Sequence, residues 1–314
     1  MKDIRKILII RFSSLGDIVL TFPLIKILKQ TLPDSEINFL VKEKYSEILK
    51  LNPDIDRILI LNKKLSVTAN EISSSEYDLI LDLQKNFKSR LVSFGKGKTL
   101  KRVKKESIRK LLLVWFKWSF FREIIPVYKK YINTAEGIIN IVKTGFTTSD
   151  LKFSKEKIFD GRYIVISPSS KHFTKTYPAE RFINFIKSVK DVKIVLTGDD
   201  SDRDVSICGY LENECPGIIN MCGKLNMKSL LNVLFNSEYV ICNDSAVLHL
   251  SEALGKKVIV LFGSTVKEFG FFPQLDTSEV FENNNLNCRP CTHIGKDKCP
   301  RKHFLCMDYE IRIN

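Results

Sequence analysis

Apolar runs alternate with amphipathic stretches along most of the chain. In the first half, four short and almost entirely apolar runs are typical of buried strands: KILIIRF, EINFLVK, RILIL and YDLILDL. Segments with helical periodicity lie between them, the first over 17–32. A second series begins near Gly161 with RYIVISP, VKIVLTG, YVICND and KVIVLFGS. Near-continuous apolar strands separated by helices predict parallel sheets that are covered on both faces.

The two series of strands and helices predict two domains of the α/β class. A length of 314 residues suits two domains, at about 150 residues each. The polar and charged stretch GFTTSDLKFSKEKIFDG separates the two series, so we place the domains at 1–155 and 156–314. Doubly wound domains bind ligands at the carboxyl ends of their strands. We expect a cleft between the two doubly wound domains.

Residues 107–126, SIRKLLLVWFKWSFFREIIP, interrupt the alternation. Their pattern predicts an amphipathic helix that is rich in aromatic residues. We expect this helix to be buried in the core. The alternative is a helix that lies in a groove or on a membrane surface.

Charge is distributed unevenly. The formal net charge is +14, and residues 85–110 contain eleven Lys and Arg against the single acid Glu106, a net of +10. Such a cluster favours an anionic partner, either phosphate groups, nucleic acid or an acidic membrane face, over a merely solvated basic surface. No apolar run approaches the ~20 residues that span a bilayer, and the N-terminus has too short an apolar run for a signal peptide. We therefore predict a cytoplasmic protein.

The stretch RFSSLGDIVLTFP joins the first strand to the first helix. Gly16 permits a sharp turn, and Asp17 follows it at the helix start. Asp17 is either an N-cap, which contributes about 1 kcal/mol, or a general base in the cleft. The first strand is not followed by a G-x-G-x-x-G pattern or by the lysine of a P-loop, so neither nucleotide motif is indicated.

Four loops of the second half also follow strands: ISPSSKHFTKTYP, LTGDDSD, CNDSAVLH and LFGST. Their position beside helix N-termini favours an anionic, nucleotide-like ligand in the second domain. Lys175 precedes a helix with Pro178 in its first turn and is a candidate for binding a diphosphate. The alternative is an ordinary surface lysine.

The stretch NDSAVLHL supplies a second group of candidates. Asn243, Asp244 and Ser245 stand at a strand end, and His249 follows Ser245 by one helical turn. Ser245 and the backbone N–H groups suit phosphate oxygens, whereas Asp244 would orient backbone groups or contact a sugar hydroxyl. The alternative is a capped helix with one core histidine. In DDSDRD, we expect Asp202 to cap a helix and contact a ribose rather than to bind Mg²⁺.

Four of the eight cysteines, Cys288, Cys291, Cys299 and Cys306, crowd the C-terminal region, with His293 and His303 nearby. A cytosolic chain does not need a disulfide framework. Four thiols suit a zinc site, although the spacing between the last two is six residues rather than two. Zinc, two disulfides and clustered free thiols remain open.

Four stretches, taken together and in this order, resemble glycosyltransferase family 9, the bacterial heptosyltransferases of lipopolysaccharide core synthesis. They are RFSSLGDIVLTFP, KTYP, NDSAVLHLSEALGKKVIVLFGST and the cysteine-rich end. The resemblance runs over nearly the whole chain. It implies a GT-B fold, in which two Rossmann-like domains face each other across a cleft. It also implies an inverting, metal-independent transfer of a heptose from an ADP-heptose donor to the inner core of lipopolysaccharide. It also implies a peripheral location at the inner face of the inner membrane, and we expect a monomer that does not bind nucleic acid.

The resemblance also assigns roles to residues. Asp17 corresponds to the general base, and Lys175 to the lysine that binds the donor diphosphate. The donor site comprises Ser14, Gly16, Lys175, Asp202, Asn243, Asp244, Ser245, Ala246 and His249. The basic cluster with Gln84, Asn86, Lys88 and Arg90 lies where the phosphorylated, lipid-linked acceptor is expected.

The chain departs from the family pattern at two positions. Ala246 stands where glycine is usual, and Tyr177 stands where tryptophan is usual. Two alternative functions follow. One is a sugar-nucleotide-binding relative with a different donor or without transfer activity. The other is a nucleic-acid-binding protein that acts through the basic cluster, although it lacks a recognition motif.

Overall fold

The computed structural model describes residues 4–139, 146 and 150–312. Contacts divide the chain into two compact units, Met1–Lys105 with Ile125–Lys152, and Glu106–Ile124 with Phe153–Asn314. The division after Lys152 lies close to the predicted boundary between 155 and 156. The segment Glu106–Ile124 belongs to the second unit, whereas the predicted boundaries included it in the first.

The first unit contains a five-stranded, fully parallel sheet in the order β3-β2-β1-β4-β5. Its strands are β1 (Lys6–Ile10), β2 (Glu36–Val41), β3 (Arg57–Ile60), β4 (Leu79–Asp82) and β5 (Thr99–Arg102). Its helices are α1 (Leu15–Val19), α2 (Phe22–Thr31), α3 (Ser46–Lys50), α4 (Leu65–Ser74), α5 (Phe87–Ser93) and α7 (Val127–Ile132). The central strand β1 pairs with β2 and β4, which explains why its apolar run is fully buried.

The second unit contains a six-stranded parallel sheet in the order β11-β10-β9-β6-β7-β8. Its strands are β6 (Tyr163–Ser167), β7 (Lys193–Leu196), β8 (Ile219–Asn220), β9 (Val240–Asn243), β10 (Val258–Phe262) and β11 (Glu279–Glu282). Its helices are α6 (Ser107–Phe116), α8 (Ala179–Ser188), α9 (Asp202–Glu214), α10 (Met227–Asn236) and α11 (Ala246–Ala253). None of the helices in the described ranges is long and apolar enough to cross a membrane.

Two predicted elements differ in extent. The segment 17–32 forms two helices, α1 and α2, because Pro23 lacks the N–H that would continue the first helix. The basic cluster contains a strand, β5, that its polar sequence did not indicate. β5 pairs only with β4, and an edge strand tolerates charged side chains because one of its sides faces solvent.

The expectation that residues 107–126 form a buried helix is wrong. The helix ends at Phe116, where Lys117 adopts a left-handed conformation with φ of 61°. Leu113 is the one buried residue of α6, whereas Ile108 is 75% exposed and Trp115 is 69% exposed.

Candidate functional site

Asp17 is held on both of its carboxylate oxygens at the carboxyl end of β1. Its Oδ2 accepts hydrogen bonds from the Ser14 backbone N–H at 3.2 Å and from the Ser14 hydroxyl at 2.7 Å. Its Oδ1 lies 2.7 Å from Nη2 of Arg11 and accepts from the Tyr131 hydroxyl at 3.3 Å. Asp17 therefore has a capping role in α1, next to the buried Gly16. Its side chain is also 14% exposed, so the carboxylate is not sealed from a ligand.

Arg11 is the residue that organises this carboxylate. Its buried guanidinium donates to the backbone oxygens of Ser13 and Leu83, each at 2.8 Å, as well as pairing with Asp17. Burial by itself lowers the pKa of Arg11, but Tyr131 and Asp17 raise it above its ordinary value. Burial also raises the pKa of the Tyr131 hydroxyl, which keeps its proton and donates to Asp17.

Asp82 organises the neighbouring loop after β4. It is fully buried, and its Oδ1 accepts from the backbone N–H groups of Gln84 and Lys85 at 3.1 and 2.7 Å. Its Oδ2 accepts from the Ser89 hydroxyl at 2.9 Å. Lys105 donates to the Gln84 backbone oxygen at 2.5 Å, and burial followed by the charge of Arg11 lowers the pKa of Lys105. The loop and the Asp17 turn are thus joined by a network of charged groups.

The four predicted acceptor residues divide into two kinds. The Gln84 side chain accepts from the Phe12 backbone N–H at 2.8 Å, and Asn86 caps α5 by accepting from the Ser89 backbone N–H at 2.9 Å. These two side chains have local structural roles. Lys88 and Arg90 are exposed, and among residues 4–139, 146 and 150–312 neither has an ion-pair partner. Their cationic groups are accessible to an anionic ligand.

The second unit places Lys175 against Asp244. Their Nζ and Oδ2 atoms lie 2.7 Å apart, and both side chains are largely buried. The Thr265 hydroxyl donates to the same Oδ2 at 2.7 Å. Lys175 is therefore not an ordinary surface lysine. It belongs to a fixed charge pair at the carboxyl ends of β6, β9 and β10.

Asn243 and Ser245 lie at the same end of β9. Asn243 accepts from the Tyr177 backbone N–H at 2.9 Å and donates to the Pro168 backbone oxygen at 2.9 Å, which joins the loops after β6 and β9. Ser245 is the N-cap residue of α11, but its hydroxyl makes no capping hydrogen bond. This buried Oγ atom has no hydrogen-bond partner within the described part of the chain. A buried polar atom without a partner is costly in a folded protein, and this one lies at the positive end of a helix.

Ala246 and His249 follow on α11. Ala246 is the first helical residue, and its methyl group is partly exposed. His249 is buried, and its ring centroid lies 6.0 Å from that of Phe271. His249 is thus one turn inside the helix whose N-terminus carries the Ser245 hydroxyl.

Asp202 does not cap α9 as predicted, because Ser201 is the N-cap residue. Asp202 is the exposed first residue of α9. Asp204 faces inward, where its carboxylate accepts from the Ser169 hydroxyl and from the Asp199 backbone N–H. Burial raises the pKa of Asp204. The sequence analysis missed Asp204, although its position in DDSDRD one turn into the helix is the signal that could have identified it.

Arg289 connects the cysteine-rich region to the Lys175–Asp244 pair. Its Nη2 donates to the Thr265 backbone oxygen at 2.8 Å and lies 2.7 Å from the Glu282 carboxylate. Since Thr265 in turn donates to Asp244, this buried arginine supports the loop that fixes the pair. The Tyr177 hydroxyl donates to the Tyr309 backbone oxygen, so the residue that replaces the usual tryptophan also holds the C-terminal region.

The structure does not support a zinc site at Cys288, Cys291, Cys299 and Cys306, which was one of the three alternatives left open for these residues. All eight cysteines are free thiols, and the described residues contain no group of three or more His, Cys, Asp or Glu positioned to hold a metal ion. Cys306 is buried, whereas the other three are partly exposed. The region is instead held by Arg289 and by hydrogen bonds of Thr174 with the Lys296 backbone.

Two α/β units, each with a parallel sheet and with polar groups at its strand ends, have the architecture of the GT-B fold. The profile of Glycosyltransferase family 9 (heptosyltransferase) matches residues 67–301, and the chain belongs to this family and is a glycosyltransferase. It is 26% identical over 299 residues to lipopolysaccharide heptosyltransferase 1 of Campylobacter coli. This alignment covers 83% of this chain and 84% of that protein.

Solved structures agree with the fold. E. coli heptosyltransferase WaaC with ADP superposes with a TM-score of 0.71 at 18% identity, over 88% of this chain and 92% of that one. The same enzyme with ADP-2-deoxy-2-fluoro heptose gives a TM-score of 0.71 at 17% identity, over 96% of both chains. These similarities confirm the predicted fold class.

Proposed function

We propose that the protein is a heptosyltransferase of lipopolysaccharide biosynthesis that uses ADP-heptose as its donor. The family supports a heptosyl transfer, and relatives named for lipopolysaccharide synthesis support the acceptor class. The observation that carries the donor assignment is the buried, unpartnered Ser245 hydroxyl at the N-terminus of α11, together with the Lys175–Asp244 pair. A diphosphate supplies the acceptor oxygens that this hydroxyl and the helix N–H groups lack.

In the proposed reaction, the Asp17 carboxylate takes the proton from an acceptor hydroxyl. The oxygen of that hydroxyl forms a bond to the anomeric carbon of heptose while the bond from this carbon to the diphosphate oxygen breaks. The electron pair leaves with ADP. Attack on the face opposite the leaving group inverts the anomeric configuration. Arg11 and Tyr131 orient the Asp17 carboxylate for this proton transfer.

Charge that develops on the leaving diphosphate requires stabilisation. We assign this to Lys175 and to the positive end of α11, with Asp244 and Thr265 holding the ammonium group in position. The exposed Lys88 and Arg90 are candidates for binding phosphate groups of the acceptor. The proposed location is the cytoplasmic face of the inner membrane, where a lipid-linked acceptor is presented.

The test is transfer by an Asp17→Asn variant. We expect loss of heptosyl transfer with an unchanged dissociation constant for ADP, because the substitution removes the base and leaves the second unit intact. The exposed Asp34 provides the matched control, and Asp34→Asn should retain full turnover. Retained turnover in Asp17→Asn would contradict the role of the base.

A panel of nucleotides tests the donor. Saturating ligand at about 100 times its dissociation constant stabilises the folded state by ~2.7 kcal/mol, which is measurable as a shift in thermal unfolding. We expect a shift with ADP and a larger one with ADP-heptose. A shift with UDP or GDP alone would mean that the donor is a UDP- or GDP-linked sugar rather than ADP-heptose. Salt-sensitive binding of DNA without a shift for any nucleotide would favour the nucleic-acid-binding alternative.

A further inference from the structure

Helix α6 and the residues that follow it expose an unusual set of large apolar side chains. The exposed residues are Ile108, Leu111, Trp115, Phe116, Trp118 and Phe120. The rings of Phe116 and Trp118 stack with their centroids 5.2 Å apart, and Trp118 meets Phe120 edge to face. Single exposed apolar residues are ordinary, but a continuous set of this kind marks an interaction surface. We call residues 108–120 the aromatic segment.

The lysines of the aromatic segment point toward the protein. Lys110 donates to the Phe269 backbone oxygen at 3.3 Å, and its ammonium group lies 5.6 Å from the ring centroids of both Phe269 and Phe271. Lys117 donates to the Pro290 backbone oxygen at 2.7 Å, and Leu113 is buried between them. Positions 110, 113 and 117 share one face of a helix.

Positions 108, 111 and 115 lie on the opposite face, which is the exposed one. An ordinary surface helix buries its apolar stripe and exposes its charges. On α6 this polarity is largely reversed. Lys110, and Lys117 just beyond the helix end, attach it to the rest of the second unit, whereas its large apolar residues face outward. The exposed Arg109 pairs with Glu106. The exposed face is therefore shaped for an apolar partner.

The charge next to the aromatic segment in the chain indicates the partner. Lys104 precedes the segment and Arg122 follows it, both of them exposed, and residues 85–110 carry a net charge of +10. An apolar protein partner does not require such a field, whereas an anionic bilayer supplies both an apolar layer and negative headgroups. Tryptophan is enriched at membrane–water interfaces, and tryptophan, phenylalanine and leucine form the apolar face of helices that lie in the interface.

We propose that the aromatic segment is a membrane-binding element that inserts into the interfacial layer of an anionic phospholipid bilayer. The inference rests on the proposed function for the presence of a lipid-linked acceptor. The surface itself is identified by the exposed side chains and by the charge.

A similar surface occurs on α5 in the first unit. Phe87, Leu91 and Phe94 are exposed at positions i, i+4 and i+7, with Phe94 at 80%. The exposed Lys88 and Arg90 accompany them. Aromatic and basic side chains are thus combined on both units. α5 is a second candidate for contact with an anionic bilayer.

Tryptophan fluorescence tests the proposal directly, because Trp115 and Trp118 are the two tryptophans of the chain. The full-length protein is titrated with vesicles of phosphatidylcholine alone and of phosphatidylcholine mixed with phosphatidylglycerol. We expect a blue shift and quenching by brominated lipid only with the anionic vesicles, and a loss of binding at high salt. The absence of a blue shift with anionic vesicles would overturn the proposal, and so would equal binding to both kinds of vesicle.

A double variant that retains both tryptophans identifies the surface. Ile108→Ser with Leu111→Ser should lower the vesicle partition coefficient by about tenfold or more, because two apolar side chains are lost from the inserted face. Val67→Ser, which replaces an apolar residue exposed on α4, is the matched control and should bind vesicles as the unaltered protein does. Equal binding by the double variant would overturn the assignment.

Light scattering and a transfer assay complete the test. A blue shift that depends on protein concentration without lipid, accompanied by the mass of a dimer, would show that a second copy covers the segment and would contradict the proposal. Transfer to a detergent-dispersed acceptor is measured separately. Failure of the unaltered protein to bind vesicles, with transfer retained, would refute the membrane element alone, whereas absence of transfer with intact vesicle binding would refute the proposed function alone.

Discussion

Replacing Ser245 by alanine should separate ligand binding from stability. An N-cap serine ordinarily contributes about 1 kcal/mol to stability through its side-chain hydrogen bond. The Ser245 hydroxyl makes no such bond and has no hydrogen-bond partner in the described residues. We therefore expect Ser245→Ala to leave the free energy of unfolding unchanged or to raise it by up to about 1 kcal/mol, because it removes a buried hydroxyl without a partner.

The same substitution should weaken ADP binding. A hydrogen bond to a charged group contributes about 1.5–3 kcal/mol, so its loss should raise the dissociation constant for ADP roughly 10- to 100-fold. Isothermal titration calorimetry with ADP measures this change, and urea denaturation measures the stability. Both measurements are made on the full-length chain.

Asn226 supplies the matched control in the same unit. It is the N-cap residue of α10, and its side chain accepts from the Ser229 backbone N–H at 2.9 Å. Asn226→Ala should destabilise the protein by about 1 kcal/mol and leave ADP binding unchanged. The reasoning would be refuted if Ser245→Ala lost stability as Asn226→Ala does while its dissociation constant for ADP stayed within twofold.

Four further variants test the rest of the site. Arg11→Met should lower kcat while leaving ADP affinity unchanged, because it releases the Asp17 carboxylate. Steady-state kinetics measures this, and an effect on donor binding rather than on kcat would contradict the role of Arg11. Lys175→Ala should raise the dissociation constant for ADP, and an unchanged constant in calorimetry would contradict the diphosphate role. Arg289→Met should lower the free energy of unfolding in urea by about 3 kcal/mol, because it leaves the Glu282 carboxylate unpaired. Burial raises the pKa of Asp204, so the folded state binds this proton more tightly than the unfolded state. The protein therefore loses stability as pH rises from the ordinary aspartate pKa through the raised one. Asp204→Asn should reduce this loss.

The strands were predictable because they are apolar throughout, as strands buried on both faces must be. β5 was not, since an edge strand with the sequence TLKR carries no apolar signal. The surface of α6 was misjudged for a related reason. Helical periodicity shows that 107–116 has an apolar face, but it does not show which way that face points.

Sequence reasoning identified the residues at the strand ends but not their pairing. Parallel topology indicated that the loops of Lys175 and Asp244 lie at the same edge, while the ion pair between them became apparent only in the structure. Tyr131 was missed because it is 114 residues from Asp17 and lies outside every motif. The cysteine spacing left zinc, disulfides and free thiols open, because spacing alone does not determine where the thiols point.

The central claim is heptosyl transfer from ADP-heptose with Asp17 as the base. The most direct measurement is mass spectrometry of a heptose-free lipopolysaccharide acceptor after incubation with ADP-heptose and the protein. The account predicts addition of heptose and release of ADP with the unaltered protein, and neither with Asp17→Asn. Addition of heptose by the Asp17→Asn variant, or no addition by the unaltered protein with any acceptor of this class, would contradict it.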